Sequence, residues 1–206
     1  MWYPASLAAV AAGSDAVTRA QAQTQLGITL ANDLADQLIA TARGFVENYC
    51  GIVTIGRAAT IKCDAFCDLA RLPVAPVRSI TSIAYVDQDG ADQTLATSVY
   101  ELRSDGLIAS VVLKYNQVWP AIRPGSRITI VAAAGYADAA SIPAEIKSAI
   151  LLLISKQNAL SRADPLLRGR AIEGVGSRQW DTSGQPLDRV DRAAFDLLEN
   201  FRCFPS

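Results

Sequence analysis

Apolar residues recur along this chain with two different periods, and the change of period divides it. Leu34, Leu38, Ile39, Ala42, Val46, Tyr49 and Cys50 follow helical spacing; Asn32 or Asp33 can cap the start and Gly51 closes the end. Arg43 and Glu47 stand four residues apart on this helix, a spacing that allows them to pair. Upstream, Thr18 and Gln21 form a capping-box pattern for a short helix that stops near Leu26 at Gly27. Pro143 opens another helix through Ile146, Ile150, Leu153, Ile154, Gln157 and Leu160, with an apolar face broad enough to pack against helix 32–50. A last helix begins near Pro186, with Leu187, Val190, Ala194, Leu197, Leu198 and Phe201 on one face, and Pro205 ends it.

Between about Val53 and Gly135 the pattern shortens to runs rich in Val, Ile, Thr and Tyr, separated by Asp89-Gly90, Asp105-Gly106 and Pro124-Gly125. These predict strands near 57–63, 79–86, 93–95, 99–103, 107–114 and 127–133. Pro73 and Pro76 deny a central ladder its N–H groups, so the segment up to Val77 is expected to run extended along an edge or surface. Beyond it, Ile80, Ser82, Ala84 and Val86 alternate with Thr81, Ile83 and Tyr85. That strand is therefore apolar on both faces and is expected to be covered on both, by protein or by a neighbouring subunit.

The fold class implied is α+β: a small helical bundle, with helices near 18–26, 32–50, 143–160 and 187–202, carrying an inserted antiparallel β block. Residues 1–52 and 136–160 form the helical core, 53–135 the β insertion, and 161–206 an arm and C-terminal helix. Residues 161–186 show little periodicity and read as a long loop, and loops of that length are usually functional.

Composition narrows the function. With 50% hydrophobic residues, 19% charged and a net charge of -1, the chain lacks the basic excess of a protein that grips nucleic acid through phosphates. It contains no histidine, which removes the commonest general base and metal ligand, so the chain is read as no enzyme, with no cofactor and no metal site. Cys50, Cys63, Cys67 and Cys203 show no CxxC spacing and are read as reduced, buried thiols. Asp87-x-Asp89-Gly90-x-Asp92 places its glycine too early for a calcium loop, and a hairpin turn explains it better. Gly174-Val175-Gly176 lacks the Gly-Lys-Ser/Thr of a phosphate loop and reads as a flexible joint. The Ala-rich run from Leu7 has no charged region before it, which argues against an export signal, and no apolar run reaches the ~18 residues of a membrane span. Arg162, Arg168, Arg170 and Arg178 have three possible uses: DNA phosphate, acidic groups on a partner, or solvent. The nearly neutral overall charge favours the partner.

Several short segments, in this order, resemble the head-tail connector or adaptor proteins of long-tailed phages and the related gene transfer agents. They are Val17-Thr18-Arg19-Ala20-Gln21 to Leu26, the helix ending Ala42-Arg43-Gly44-Phe45-Val46-Glu47-Asn48-Tyr49-Cys50-Gly51, and Leu72-Pro73 to Ile80 with Tyr85-Val86-Asp87. Val99-Tyr100, Trp119-Pro120, Ala134-Gly135-Tyr136 and Ile142-Pro143-Ala144-Glu145-Ile146-Lys147 follow. The resemblance implies a structural virion protein at the head-tail neck, assembled in the host cytoplasm. It would form a ring, typically twelvefold, beneath the portal protein, extending the DNA channel and offering a docking surface to a stopper or tail completion protein. Double-stranded DNA would pass without sequence-specific binding, and no membrane is involved. By the same resemblance residues 161–206 dock on the portal, with Arg168, Arg170, Glu173, Arg178, Trp180, Phe201 and Phe204 as partner-binding candidates, since arginine and aromatic anchors are common at interfaces. The alternative is a DNA-binding packaging accessory that uses the arginines of the 162–178 arm.

Overall fold

The computed structural model describes residues 1–11, 14–27, 29, 31–162, 169–172, 176–179 and 185–203. Contacts divide the chain into two units, one of Met1–Ala16, Glu47–Ile142 and Phe201–Ser206, the other of Val17–Val46 and Pro143–Asn200. The α+β class and the inserted antiparallel sheet expected from the sequence are present.

The first unit is built on a five-stranded antiparallel sheet. Its strands are β1 (Ser6–Leu7), β2 (Arg57–Cys63), β3 (Val77–Val86), β4 (Asp92–Thr94) and β7 (Ile128–Ala134), in the order β1-β2-β7-β3-β4. A separate two-stranded sheet joins β5 (Tyr100–Arg103) to β6 (Ser110–Leu113). The ladder between β2 and β7 runs without interruption, setting Ala59 opposite Ala132, Ile61 opposite Ile130 and Cys63 opposite Ile128. All six are buried, so strict alternation along both strands delivers one continuous apolar face. Phe66, Leu69, Leu72, Val74, Tyr100 and Val111 complete the core around it.

Two expectations about the entry to β3 are corrected. The segment from Leu72 to Pro76 is not a surface run: Leu72, Val74 and Ala75 are buried. Burial is tolerated because the carbonyls the prolines leave in place find donors: Val53 N–H donates to Ala75 O at 2.7 Å and Gly135 N–H to Pro76 O at 2.8 Å. Nor does β3 alternate without interruption, and Ile80 departs from the face expected for it. Register shifts between Val77 and Ser79 and between Ile80 and Ser82 break the alternation, so Val77, Ile80, Ile83 and Tyr85 all join the same core cluster. Past β3, Asp87 builds the hairpin turn. Its carboxylate accepts from Asp89 N–H, Ala91 N–H and the Gln93 amide at 2.9–3.0 Å, and these donors, Gln93 foremost, hold its pKa below the ordinary value.

Gly135 sits where two backbones meet. It has φ +91°, and a Cβ there would lie 2.5 Å from the Ile55 carbonyl oxygen, next to the parallel bridge between Ile55 and Tyr136. The Ala-Gly-Tyr exit from β7 thus has a steric cause.

The second unit is helical. Helix α1 (Arg19–Leu26) starts with the capping box read from the sequence, Thr18 and Gln21 exchanging bonds, and ends at Gly27 in the left-handed region. Arg19 grips Asp36 through Nε and Nη2, each 2.5 Å from a carboxylate oxygen. Helix α2 (Asn32–Cys50) has the predicted bounds, and the boundary between the units falls inside it. Helix α3 (Ala144–Arg162) buries Ile146, Ala149, Ile150 and Ile154 completely. Its backbone runs close to α4 (Gln185–Leu198) and to α1. On α4, Ala194 and Leu198 are fully buried, and Lys156 of α3 forms an ion pair with Asp191. Phe195 of α4 stacks on Phe45 of α2 with ring centroids 6.0 Å apart. No helix among the described residues is long and apolar enough to cross a membrane.

Where α2 hands over to the sheet, Glu47 accepts from Thr54 N–H at 2.9 Å, Thr54 Oγ1 at 2.7 Å and Arg57 Nη2 at 2.6 Å. Glu47 and Arg57 side chains are each only 12% exposed. The sequence suggested Arg43 as Glu47's partner; its carboxylate is instead committed to these two residues further along the chain. Glu47→Ala strands a buried guanidinium and should cost about 3–5 kcal/mol in urea unfolding. The double change Glu47→Leu with Arg57→Leu should cost less than half as much, because it removes both charges together.

Candidate assembly surfaces

The partner-binding candidates fall into three groups. Arg168, Glu173, Trp180 and Phe204 lie outside the described residues. Arg170 and Arg178 lie on β8 (Gly169–Ile172) and β9 (Gly176–Gln179), within a stretch that the sequence suggested was a loop. The two strands pair antiparallel, and their register sets Arg170 directly opposite Arg178. Periodicity could not reveal this hairpin, because each strand is only four residues long and one begins with a glycine counted as a joint.

Phe201, the third kind, ends a 3-10 turn (Glu199–Phe201) after α4 and is half-buried. The residues beyond it are held by the chain itself. Arg202 places its guanidinium 4.8 Å from the Tyr49 ring centroid, and Cys203 N–H donates to Cys50 O at 2.6 Å. Gly51, at φ +68°, permits this closure, since a Cβ there would lie 2.7 Å from Cys203 O. Burial beside this clamp raises the pKa values of the Tyr136 phenol and the Cys203 thiol.

The sequence reading missed a further surface feature. After β6 the chain turns at Lys114–Gln117, closed by Gln117 N–H donating to Lys114 O at 3.1 Å, with Asn116 at φ +58°. Lys114 ties down the base, its N–H donating to Val99 O and its Nζ to Thr97 O at 2.8 Å. On the far side Trp119 stacks on Phe66, centroids 4.9 Å apart and planes 2° from parallel. Between these anchors Tyr115 and Val118 stand out at 98% and 80% exposure. The available signal was an asparagine turn between a strand and a Trp-Pro pair, with apolar residues where a solvent turn would carry polar ones.

All four cysteines are free. Cys50 and Cys63 are buried, but Cys67 is exposed, contrary to the expectation of buried thiols, because the 3-10 turn Phe66–Ala70 points Phe66 and Leu69 into the core and leaves Cys67 outside. No group of three or more potential metal ligands occurs among the described residues.

No protein-family description matches the sequence, and no curated protein does. Solved structures do match. A chain of the virion of a native gene transfer agent particle superposes with a TM-score of 0.68 at 22% identity, covering 98% of this chain and 96% of that one. A chain from the neck of the empty particle, computed with C6 symmetry, gives 0.66 at 20% identity over 99% and 97%. One from the neck of the native particle, computed with C12 symmetry, gives 0.64 at 22% over 98% and 97%. The chain has the fold of these gene transfer agent chains. The likeness runs through both units.

Thiol chemistry tests the placement of the cysteines. Under native conditions at pH 8, iodoacetamide should label Cys67 first, read by peptide mass mapping. Cys63, whose pKa is pushed up to about 12 chiefly by burial, should stay unlabelled, as only roughly one part in ten thousand is thiolate. The unfolded chain loses this proton near 9 and the folded chain only near 12, so stability falls as pH rises through that window. Cys63→Ala should flatten that part of the urea-midpoint profile.

Proposed function

We propose that this chain is a structural neck protein of a tailed, phage-like particle: a head-tail adaptor that forms a ring beneath the portal and performs no catalysis. The supporting observation is its fold, which matches, over 98% of its length, a chain from a gene transfer agent neck computed with C12 symmetry. The order of connector-like motifs along the sequence argues for the same role. A rotational ring needs heterologous contacts, so each subunit must present two different surfaces. The near-neutral charge fits a channel wall past which DNA slides, rather than a clamp that holds it.

On this reading the segment that contains β8 and β9 is the portal-docking arm, and the channel it extends is completed below by a stopper or tail protein. The opposed Arg170 and Arg178 concentrate basic residues on one short hairpin, which suits an acidic partner surface. Imaging of particles made by the native host is the direct test: a ring of this chain directly under the portal is expected, and particles lacking it there would refute the role. A triple change of Arg168, Arg170 and Arg178 to Glu should weaken binding to purified portal rings roughly tenfold or more, a loss of about 1.4 kcal/mol spread over three reversed charges. If docking is unchanged while salt-sensitive retention on duplex DNA is lost, the arginines serve the genome and the packaging-accessory role replaces the adaptor.

A further inference from the structure

We infer that Cys50 and Cys203 are a redox latch: under oxidation they join as a disulfide that ties the C-terminal segment to the end of α2. The two residues meet through the backbone, where Cys203 N–H donates to Cys50 O at 2.6 Å. Standard bond lengths and angles then keep their Cα atoms within roughly 6.5 Å of each other, and disulfides span about 4.4–6.8 Å. Gly51 clears the approach, since a Cβ there would lie 3.7 Å from the Cys203 Cβ. The side chains converge as well. After burial, Cys203 and Cys50 are the groups that raise the pKa of the Tyr136 phenol, so both sulfurs lie within electrostatic reach of one ring oxygen. Cys63 and Cys67 differ: the first is buried with its Sγ donating to Ala65 O, and the second faces solvent.

Cys203 is half-buried and Cys50 fully buried, which sets the order of events. The oxidant is a small-molecule disulfide such as oxidised glutathione. The Cys203 thiolate attacks one of its sulfurs, forming a mixed disulfide and expelling one small thiolate. Cys50 then loses its proton, and its sulfur attacks Cys203 Sγ and expels the second. Two protein thiols are oxidised, one small disulfide is reduced to two thiols, and the two protons end on those thiols. Burial disfavours the Cys203 thiolate, and the positive charge of Arg71 works against that burial. In a compartment kept reducing by thiols the exchange runs backward and the latch is open. Closed, it adds a covalent bond to the cation–π contact of Arg202 on Tyr49 and the backbone bond already there.

Peptide mapping of the purified chain tests this, without reference to what it assembles with. The chain is treated with oxidised glutathione, unfolded in iodoacetamide and digested with trypsin without reduction. Trypsin places Cys50 on peptide 44–57, Cys203 on 203–206, and Cys63 with Cys67 on 63–71. Mass spectrometry should find 44–57 joined to 203–206 in most chains. Cys203 carrying only glutathione while Cys50 takes up iodoacetamide would overturn the pairing, as would a link from either residue to 63–71. Melting supplies an independent readout. The link closes most of the chain into one loop, so the oxidised form should melt roughly 5 °C or more above the reduced one. Cys203→Ser, at a half-buried position, should fold and lose that oxidant-dependent rise. Equal melting of the two forms would overturn the latch even where the bond is found, and so would a rise that persists in Cys203→Ser.

Discussion

One carboxylate decides where helix gives way to sheet. Glu47 lies in the last turn of α2, and its two oxygens are taken by Thr54 and Arg57, the residues through which the chain enters β2. The three polar partners are largely withdrawn from water, so none can be released cheaply, and together they tie the start of β2 to Glu47. The rest of the sheet is built from β2 outward. β7 is laid along all seven residues of β2, and β3 is laid along β7. Gly135 returns the chain past Ile55, at a distance no side chain would allow.

Local rules revealed the regular parts of this architecture because those parts obey one rule at a time. Helix 32–50 and strand 57–63 were legible to the residue, the first from its apolar stripe and glycine stop, the second from alternation between turn signals. β3 broke the pattern through bulges, which shift register without a mark in the residue types, and so Ile80 was assigned to the wrong face. The proline-rich entry was misplaced for a different reason. Missing N–H groups argue against a ladder, but they say nothing about burial when neighbouring donors reach the remaining carbonyls. β1 escaped notice because two exposed residues carry no periodicity and owe their strand geometry to β2.

The candidate surfaces were legible to different degrees. Arg170 and Arg178 were marked by charge, yet their pairing across a ladder is a tertiary fact that composition cannot express. Phe201 was marked as an aromatic near the end of a helix, and the structure adds the clamp of Arg202 and Cys203 on Tyr49 and Cys50 just beyond it. Tyr115 and Val118 were passed over because apolar residues beside a strand are usually core. Only the fold shows that their neighbour Trp119 takes the inward place on Phe66 and leaves them outside.

The sheet closes at its two ends on very little strand. β1 offers two residues and β4 three, and all five are exposed. A borrowed strand at either margin gains only a few main-chain bonds, too few to repay the ordering of an extended segment. A copy that meets β1 or β4 therefore finds little backbone there to share. Brevity at the margins keeps the identity of each contact in the side chains, where a mutation can tune it, and out of the backbone, which every protein shares.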